Sequence, residues 1–269
     1  MASVSSFLVR GLLAGLVAGV VAFGVAYVVG EPSVRAAIAL ESGAGGHSHG
    51  TEDGEAHSHD DAAAGRGSGG TEVPRSLQET AGLLTATVVT GVTLGGLFGV
   101  LSALALGRFG RLGVRASTLL VTAVGFVGLY MVPFAVYPPN PPAVGQAATI
   151  GLRTTLYFLL VAISVIAAVT AVLVGRHLSD RWGAWYAGLA APAGYLLVIT
   201  VVVALLPGYN EIPDGFPAAL LYEFRTASFV IQLSLWTALV VTLAELSHRA
   251  IRRSAVAPSS PHRLADAAV

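Results

Sequence analysis

Six long runs of apolar residues divide the chain, and none of them carries an acidic or basic side chain near its middle. A helix needs about 20 residues to cross the hydrocarbon core of a bilayer, and a backbone in lipid must satisfy its hydrogen bonds internally. Each run therefore predicts one transmembrane helix. The predicted spans cover residues 5–29, 81–106, 114–136, 153–176, 184–206 and 222–246.

The expected fold class is an all-α integral membrane protein, a bundle of about six transmembrane helices within residues 1–250. Residues 251–269 are expected to form a disordered tail. The first run could instead be a signal peptide that is cleaved after Ala36. Its apolar stretch from Gly11 to Gly30 is longer than a typical signal-peptide core of about 7–15 residues, so a retained span is the preferred interpretation.

The composition excludes several classes of function for this chain. Only 11% of the residues are charged, against about 25% in an average protein, and a net charge of zero gives no reason to expect a nucleic-acid partner. All fifteen basic residues are arginines, which excludes a Walker-type phosphate loop because that loop needs a lysine. The absence of cysteine excludes thiolate metal sites, and with only two methionines soft Cu(I) is not the expected cargo.

Arginine placement predicts how the bundle is oriented, because cytoplasmic loops are enriched in basic residues. With six spans, ten arginines fall on the side of the termini and five on the opposite side. Both termini are therefore expected to be cytoplasmic, and the protein is expected in the cell membrane as a multi-pass protein. The ten are Arg10, Arg108, Arg111, Arg115, Arg176, Arg181, Arg249, Arg252, Arg253 and Arg263; the five are Arg35, Arg66, Arg75, Arg153 and Arg225.

A histidine- and acid-rich segment follows the first span, within a predicted flexible external loop at residues 41–72. Imidazole and carboxylate groups suit borderline divalent metals such as Co²⁺, Ni²⁺ and Zn²⁺. Each His-Ser-His pair places two ligands on the same side of an extended backbone, and binding should fail below about pH 6 as imidazole is protonated. The other interpretation is a passive polar linker. The candidate metal ligands are His47, His49, His57, His59, Glu52, Asp53, Asp60 and Asp61.

Prolines dominate the connection that follows the third span, where four of five residues between Pro138 and Pro142 are proline. Such a segment is stiff and poor in amide donors. It is either a rigid turn between two helices or a pore mouth whose free carbonyl oxygens face an ion. Pro133 is expected to kink the third span near its exit.

Glycines recur every fourth residue in the first two spans, at Gly11, Gly15 and Gly19 and again at Gly91, Gly95 and Gly99. Small residues at this spacing let helices approach closely in lipid. We expect these two ridges to serve helix packing, and one arrangement packs the two helices against each other. The alternative is a conduction role along a glycine-lined face.

A few polar residues near the spans are further candidates for a role in ion passage or in contacts between helices. Gln232 is costly in lipid, so it is expected either to face a pore or to contact another helix. Glu211 and Asp214 could attract cations at an external vestibule, although the ordinary role of loop acids is favoured. Glu223 could face Arg153, since both lie at outer helix ends. His177 and His248 are interpreted as helix-terminal residues rather than metal ligands.

The proline motif supports a resemblance. The stretch Tyr137-Pro-Pro-Asn-Pro-Pro-Ala-Val-Gly145, followed by Thr149-Ile150 and Arg153-Thr154, resembles the CbtA family of predicted cobalt transporter subunits. The N-terminal span followed by a His-rich outer loop is similar as well. The resemblance implies a multi-span permease component that imports cobalt. It also implies a small single-span partner, CbtB, with its own His motif.

The preferred function is therefore a membrane permease subunit for uptake of cobalt or a similar divalent ion, in which the external His-rich loop captures the metal. No prosthetic group is expected, and the protein is not expected to be an enzyme. One alternative is a non-transporting membrane scaffold that binds metal and delivers it to another permease. A second alternative is an integral membrane enzyme, which would keep its activity when the His-rich loop is deleted.

Overall fold

The computed structural model describes residues 3–45, 74, 77–109 and 112–256, and every regular element in them is helical. Three π-helical turns, Ala26–Gly30, Gln78–Gly82 and Val127–Met131, and a short 3₁₀ turn, Ala147–Thr149, interrupt or precede the α-helices. The α-helices are α1 (Val4–Val25), α2 (Glu31–Gly45), α3 (Leu83–Ala105), α4 (Val114–Phe126), α5 (Val132–Val136), α6 (Ile150–Trp182), α7 (Ala184–Leu205) and α8 (Ala218–Val256).

Within the described residues, six helices are long and apolar enough to cross a membrane, which confirms the predicted fold class. They are Val4–Gly43, Glu79–Ala105, Val114–Val136, Ala147–Trp182, Ala184–Leu205 and Ala218–Arg253. Since consecutive spans alternate in direction, the connections at residues 137–146 and 206–217 lie on the same side of the bundle as Gly45, here called the loop side. The opposite side, which carries residue 4 and residue 253, is called the terminal side.

Several helices continue beyond their predicted ends. The first runs to Gly45 rather than residue 29, so residues 31–45 are helical where a loop was predicted. The last continues to Val256, into the predicted tail at 251–269. Hydropathy marks only the part of a helix that lies in lipid, whereas backbone hydrogen bonding can continue in water beyond it.

Two of the π-helical turns directly precede a proline. Pro32 follows the turn at Ala26–Gly30, and Pro133 follows the turn at Val127–Met131. A proline ring clashes with the carbonyl four residues earlier and cannot donate to it. A π-helical turn widens the helix at that carbonyl. At Pro133, where a kink was predicted, the structure has a π-helical turn that ends two residues before the proline.

Glycine ridges bring α1 and α3 into backbone contact, as the sequence predicts. A Cβ atom added at Gly15 would lie 2.1 Å from the carbonyl oxygen of Gly91, and one added at Gly95 would lie 2.2 Å from that of Gly11. The buried face of α1 consists of Phe7 and of small residues such as Ala14 and Gly19. Backbones at this distance can gain dispersion and weak Cα–H···O contacts that larger side chains would prevent.

Helix α8 packs against the α1–α3 pair and completes the core. Its Leu235, Trp236, Leu239 and Leu243 are buried together with Phe98 of α3 and the alanines of α1. The rings of Phe98 and Trp236 meet edge to face, with their centroids 5.2 Å apart. This aromatic geometry adds about 0.5–1.5 kcal/mol beyond burial alone.

The remaining long helices, α6 and α7, form a hairpin that turns sharply at Gly183. Its φ of +82° lies in the left-handed region that favours glycine. Between the helices, Ser164 and Tyr195 share a buried hydrogen bond of 2.8 Å. Large apolar side chains such as Ile166 and Leu205 remain exposed on this hairpin, which suits contact with lipid.

Arginines tie helices together at both ends of the bundle. On the terminal side, Glu245 of α8 accepts hydrogen bonds from Arg115 of α4 and from Arg249 one turn further along α8. On the loop side, Arg35 makes two hydrogen bonds to Glu79, at 2.9 and 2.8 Å. Exposed pairs such as these add little to stability, because water and salt screen them.

The glycine contacts generate a prediction with a control on the same helix. We expect Gly15→Ala to destabilise the protein by about 1–3 kcal/mol, because the new methyl group cannot avoid the backbone of Gly91. Gly24→Ala should be neutral or slightly stabilising, since nothing lies within 4 Å of its added Cβ and alanine favours helix. Thermal unfolding in detergent, followed by circular dichroism, measures both. Equal stability of the two variants would contradict the close packing.

Candidate functional site

A cavity of about 870 Å³ opens among the helix ends on the loop side. Its wall is formed by the end of α4–α5, the beginnings of α6 and α8, and the connections 137–146 and 206–217. The lining reaches from Asn140 in the proline motif to Gln232 in α8. Gln232 lies seven residues beyond Arg225, which is about 10 Å along the helix. The cavity therefore extends from the proline connection into the bundle.

Glu211 ties the two connections that form the mouth of this cavity. Its carboxylate accepts hydrogen bonds from the Thr149 hydroxyl at 2.5 Å and from the Gln146 N–H at 3.0 Å. It also forms an ion pair with Nη1 of Arg153 at 3.2 Å. Only 8% of its side chain is exposed. Glu211 is thus a loop-to-loop tie rather than a free acid at the mouth.

The predicted contact between Glu223 and Arg153 is wrong, because Glu211 takes that position. Glu223 is exposed on the first turns of α8. Residues two apart point to different faces of a helix. Because Arg225 lines the cavity, Glu223 points away from it.

The Glu211 carboxylate is held in its charged form. The Thr149 hydroxyl contributes most to lowering the pKa of Glu211 below its usual 4.5, and the Gln146 N–H and the charge of Arg153 lower it further. Hydrogen bonds and a nearby cation favour a carboxylate over its protonated form. Glu211 is therefore ionised throughout the neutral range, and the mouth of the cavity is held together by a charged group.

The proline motif is positioned by the two arginines of the cavity. Nη2 of Arg225 donates to Oδ1 of Asn140 at 3.0 Å. The guanidinium of Arg153 lies against Gly145, where an added Cβ would be 3.0 Å from Nη2. Gly145 also has a φ of +125°, which L side chains rarely adopt. The motif is thus a rigid turn, and Pro138, Pro139, Asn140 and Val144 line the cavity.

Charge in the cavity wall is unbalanced. Two guanidinium groups, Arg153 and Arg225, face one carboxylate, Glu211. In the described part of the chain, no acid pairs with Arg225, whose only hydrogen bond goes to Asn140. The Nε atoms of both arginines are buried without a protein acceptor. Water cannot reach these two Nε atoms, so what the cavity offers a ligand is positive charge and Nη groups such as Nη1 of Arg225, which makes no hydrogen bond within the described residues.

Aromatic side chains lie deeper in the bundle, beyond the inner end of the cavity. Tyr130 lies on the cavity wall and stacks on Phe126, with ring centroids 5.7 Å apart. Phe126 contacts Trp236 at 5.6 Å, one helical turn beyond Gln232. The Tyr130 hydroxyl donates to the carbonyl of Ser228. Gln232, expected at a pore or a helix contact, lies on the cavity wall, one helical turn before Trp236.

The candidate metal ligands lie outside the described residues; they are His47, His49, His57, His59, Glu52, Asp53, Asp60 and Asp61. Among the residues that are described, no three His, Cys, Asp or Glu side chains come together as a metal site. The proline connection was one predicted candidate for a pore mouth, but Arg153 and Arg225 were not predicted to join it in a site. Their one sequence signal is that each lies near the start of a span that borders the cavity.

Comparison with known proteins gives one match. The sequence model of a family described as "Probable cobalt transporter subunit (CbtA)" matches residues 4–248. This range contains all six spans nearly in full, the proline motif and both cavity arginines. No curated protein and no solved structure matches the chain.

The Glu211 tie predicts a pH-dependent stability. Since the pKa of Glu211 is lower in the folded protein than its usual 4.5, its contribution is fully present above pH 4.5 and is lost as pH falls through the lowered value. Glu211→Gln should lack this acid-dependent step. The control Asp214→Asn, at an exposed acid of the same loop, should keep it. Thermal melts between pH 3 and 7 measure the difference; identical profiles for wild type and Glu211→Gln would contradict the tie.

Proposed function

The chain belongs to the CbtA family, described as probable cobalt transporter subunits, and from this premise we propose that it is a permease subunit for uptake of cobalt or a similar divalent metal ion. The supporting observation is the extent of the match, which covers residues 4–248 and with them nearly all of the six-span bundle and its cavity. The expected location is the cytoplasmic membrane, with both termini inside according to the distribution of arginines.

The first step of the proposed mechanism is metal capture by the His-rich segment. Four histidines lie within thirteen residues, at His47, His49, His57 and His59, with four acids of the same segment as additional ligands. Neutral imidazole and carboxylate together suit Co²⁺, Ni²⁺ and Zn²⁺. The segment joins α2 to the turn before α3 on the loop side, so captured metal is held on the side where the cavity lies.

The second step is entry through the loop-side cavity. Its mouth is fixed by Glu211 and the proline motif, and Gln232 offers an amide oxygen at its inner end. A membrane potential of 100 mV, negative inside, favours inward movement of two positive charges by about 4.6 kcal/mol. Beyond Gln232 the proposed route meets Phe126, Tyr130 and Trp236, whose rings contact one another in sequence.

A second candidate function is a metal-binding scaffold that delivers ions to another permease. It is favoured by one observation: the described part of the bundle has no cluster of three His, Cys, Asp or Glu side chains, whereas ion pathways usually contain such residues. The word "subunit" in the family description also fits a protein that needs a partner. A small single-span subunit of the CbtB type is the proposed partner.

Reconstitution distinguishes the two candidates. The purified chain is placed in liposomes with an inside-negative potential, with and without the small subunit, and uptake of radioactive Co²⁺ is measured with Ni²⁺ and Zn²⁺ as competitors. The permease proposal predicts potential-dependent cobalt accumulation by the chain, alone or with that subunit. Metal binding without accumulation in either case would leave only the scaffold function. Neither binding nor accumulation would contradict both.

Replacing the four histidines tests the capture step. We expect the combined variant of His47, His49, His57 and His59 to alanine to lower uptake at submicromolar cobalt by about tenfold or more, because capture needs imidazole ligands. Uptake at saturating cobalt should change little. His177→Ala, at the terminal-side end of α6, is the matched control. Unchanged uptake by the four-histidine variant at low cobalt would show that the segment is a passive linker.

A further inference from the structure

We propose that the loop-side cavity binds a small oxyanion, a carboxylate or phosphate group, between Arg153 and Arg225. The anion has two possible sources: it is free in solution, or it arrives as a ligand of the metal, which then enters as a chelate. The second source rests on the proposed transport function, whereas anion binding itself does not.

The arrangement of donors is the first argument. A guanidinium carries five N–H groups in a planar fork that matches the two oxygens of a carboxylate or phosphate. Of the donors of Arg225, one nitrogen is used, in the bond to Asn140. The Nε atoms of both arginines are closed off from the cavity, whereas Nη1 of Arg225 makes no hydrogen bond within the described residues. An oxyanion between the two guanidinium groups would accept hydrogen bonds from their Nη groups.

The charge balance is the second argument. The cavity wall carries two guanidinium groups and one carboxylate, and that carboxylate is already occupied by Arg153, Thr149 and Gln146. A bare dication in the cavity would meet a net positive wall and no free carboxylate. An anion would be attracted by the same wall, and low-dielectric surroundings strengthen that attraction. A metal bound to carboxylate ligands removes the conflict with cation transport.

The preorganisation of the arginines is the third argument. Arg153 is fixed by Glu211 and by the backbone at Gly145, and 28% of its side chain remains exposed. Arg225 is fixed by Asn140. Side chains that are already ordered lose little conformational freedom when a ligand binds. The volume of about 870 Å³ is within the usual range for small-molecule sites, roughly 300–1,000 Å³, and is far more than a single ion needs.

Equilibrium binding to the full chain in lipid nanodiscs tests the proposal. The background is the variant with His47, His49, His57 and His59 replaced by alanine, so that the His-rich segment does not bind the added metal. The probes are radiolabelled citrate and inorganic phosphate, each with and without equimolar Co²⁺. The proposal predicts saturable binding of at least one probe. Stronger citrate binding with cobalt identifies the chelate as the ligand; equal or weaker binding identifies the free anion. No binding of either probe overturns the proposal.

Substitution of the unpaired arginine locates the site. Arg225→Gln should weaken probe binding at least tenfold, and Arg225→Lys, which keeps the charge but not the fork, should weaken it less. Arg181→Gln, at an exposed arginine on the terminal side, is the matched control and should bind as the background does. Full binding by Arg225→Gln would overturn the assignment of the site to this cavity.

Chemical protection provides a test that needs no substitution in the cavity. Phenylglyoxal modifies accessible arginines, and mass spectrometry of peptides measures modification at each position. Citrate or phosphate should protect Arg153 and Arg225 but not Arg181. Equal modification of the cavity arginines with and without the anion would overturn the proposal.

The binding and uptake experiments distinguish this inference from the transport function. Anion binding without cobalt uptake would leave this inference standing and contradict the transport function. Cobalt uptake without anion binding would support the transport function and overturn this inference.

Discussion

Backbone contact between α1 and α3 organises the half of the bundle on which the rest is built. The glycine ridges remove side chains from the interface, so that carbonyl oxygens of one helix lie where a Cβ of the other would be, at 2.1–2.2 Å. Helix α8 packs onto this pair through Trp236 and three leucines. Because α8 also carries Arg225 and Gln232, the position of both cavity residues depends on the α1–α3 contact.

Hydrogen bonds and one ion pair tie together the elements that form the mouth of the cavity. Glu211 joins the last loop to the beginning of α6, and Arg225 joins α8 to the proline motif. These bonds fix a mouth that carries more positive than negative charge, which is unexpected for a protein of a cobalt transporter family. A metal that arrives with anionic ligands would be compatible with both facts. The two features would then have separate roles: the His-rich segment would collect the metal, and the cavity would admit the metal together with its anionic ligands.

More of the fold than of the cavity site could be predicted from the sequence. The third span was predicted at 114–136 and is found there, because an uninterrupted apolar run ends where polar residues and prolines begin. The glycine spacing predicted a helix contact, since spacing alone determines which residues share a face. The extension of the first helix to Gly45 was not predicted, because residues outside lipid are not marked by hydropathy. The ion pair of Arg153 was assigned to the wrong acid, Glu223, because proximity to the membrane boundary does not tell which way a side chain points.

The sequence by itself therefore determined the number of spans, the two glycine faces that allow close helix packing, and a segment rich in His, Asp and Glu between the first two spans. These are local properties: hydropathy, spacing and residue type can be read along one dimension. Only the tertiary structure decided that Arg225 meets Asn140, 85 residues earlier, and that Glu211 meets Gln146, 65 residues earlier. Such contacts depend on how each helix is rotated and shifted against its neighbours, and that is set by the packing of the whole bundle.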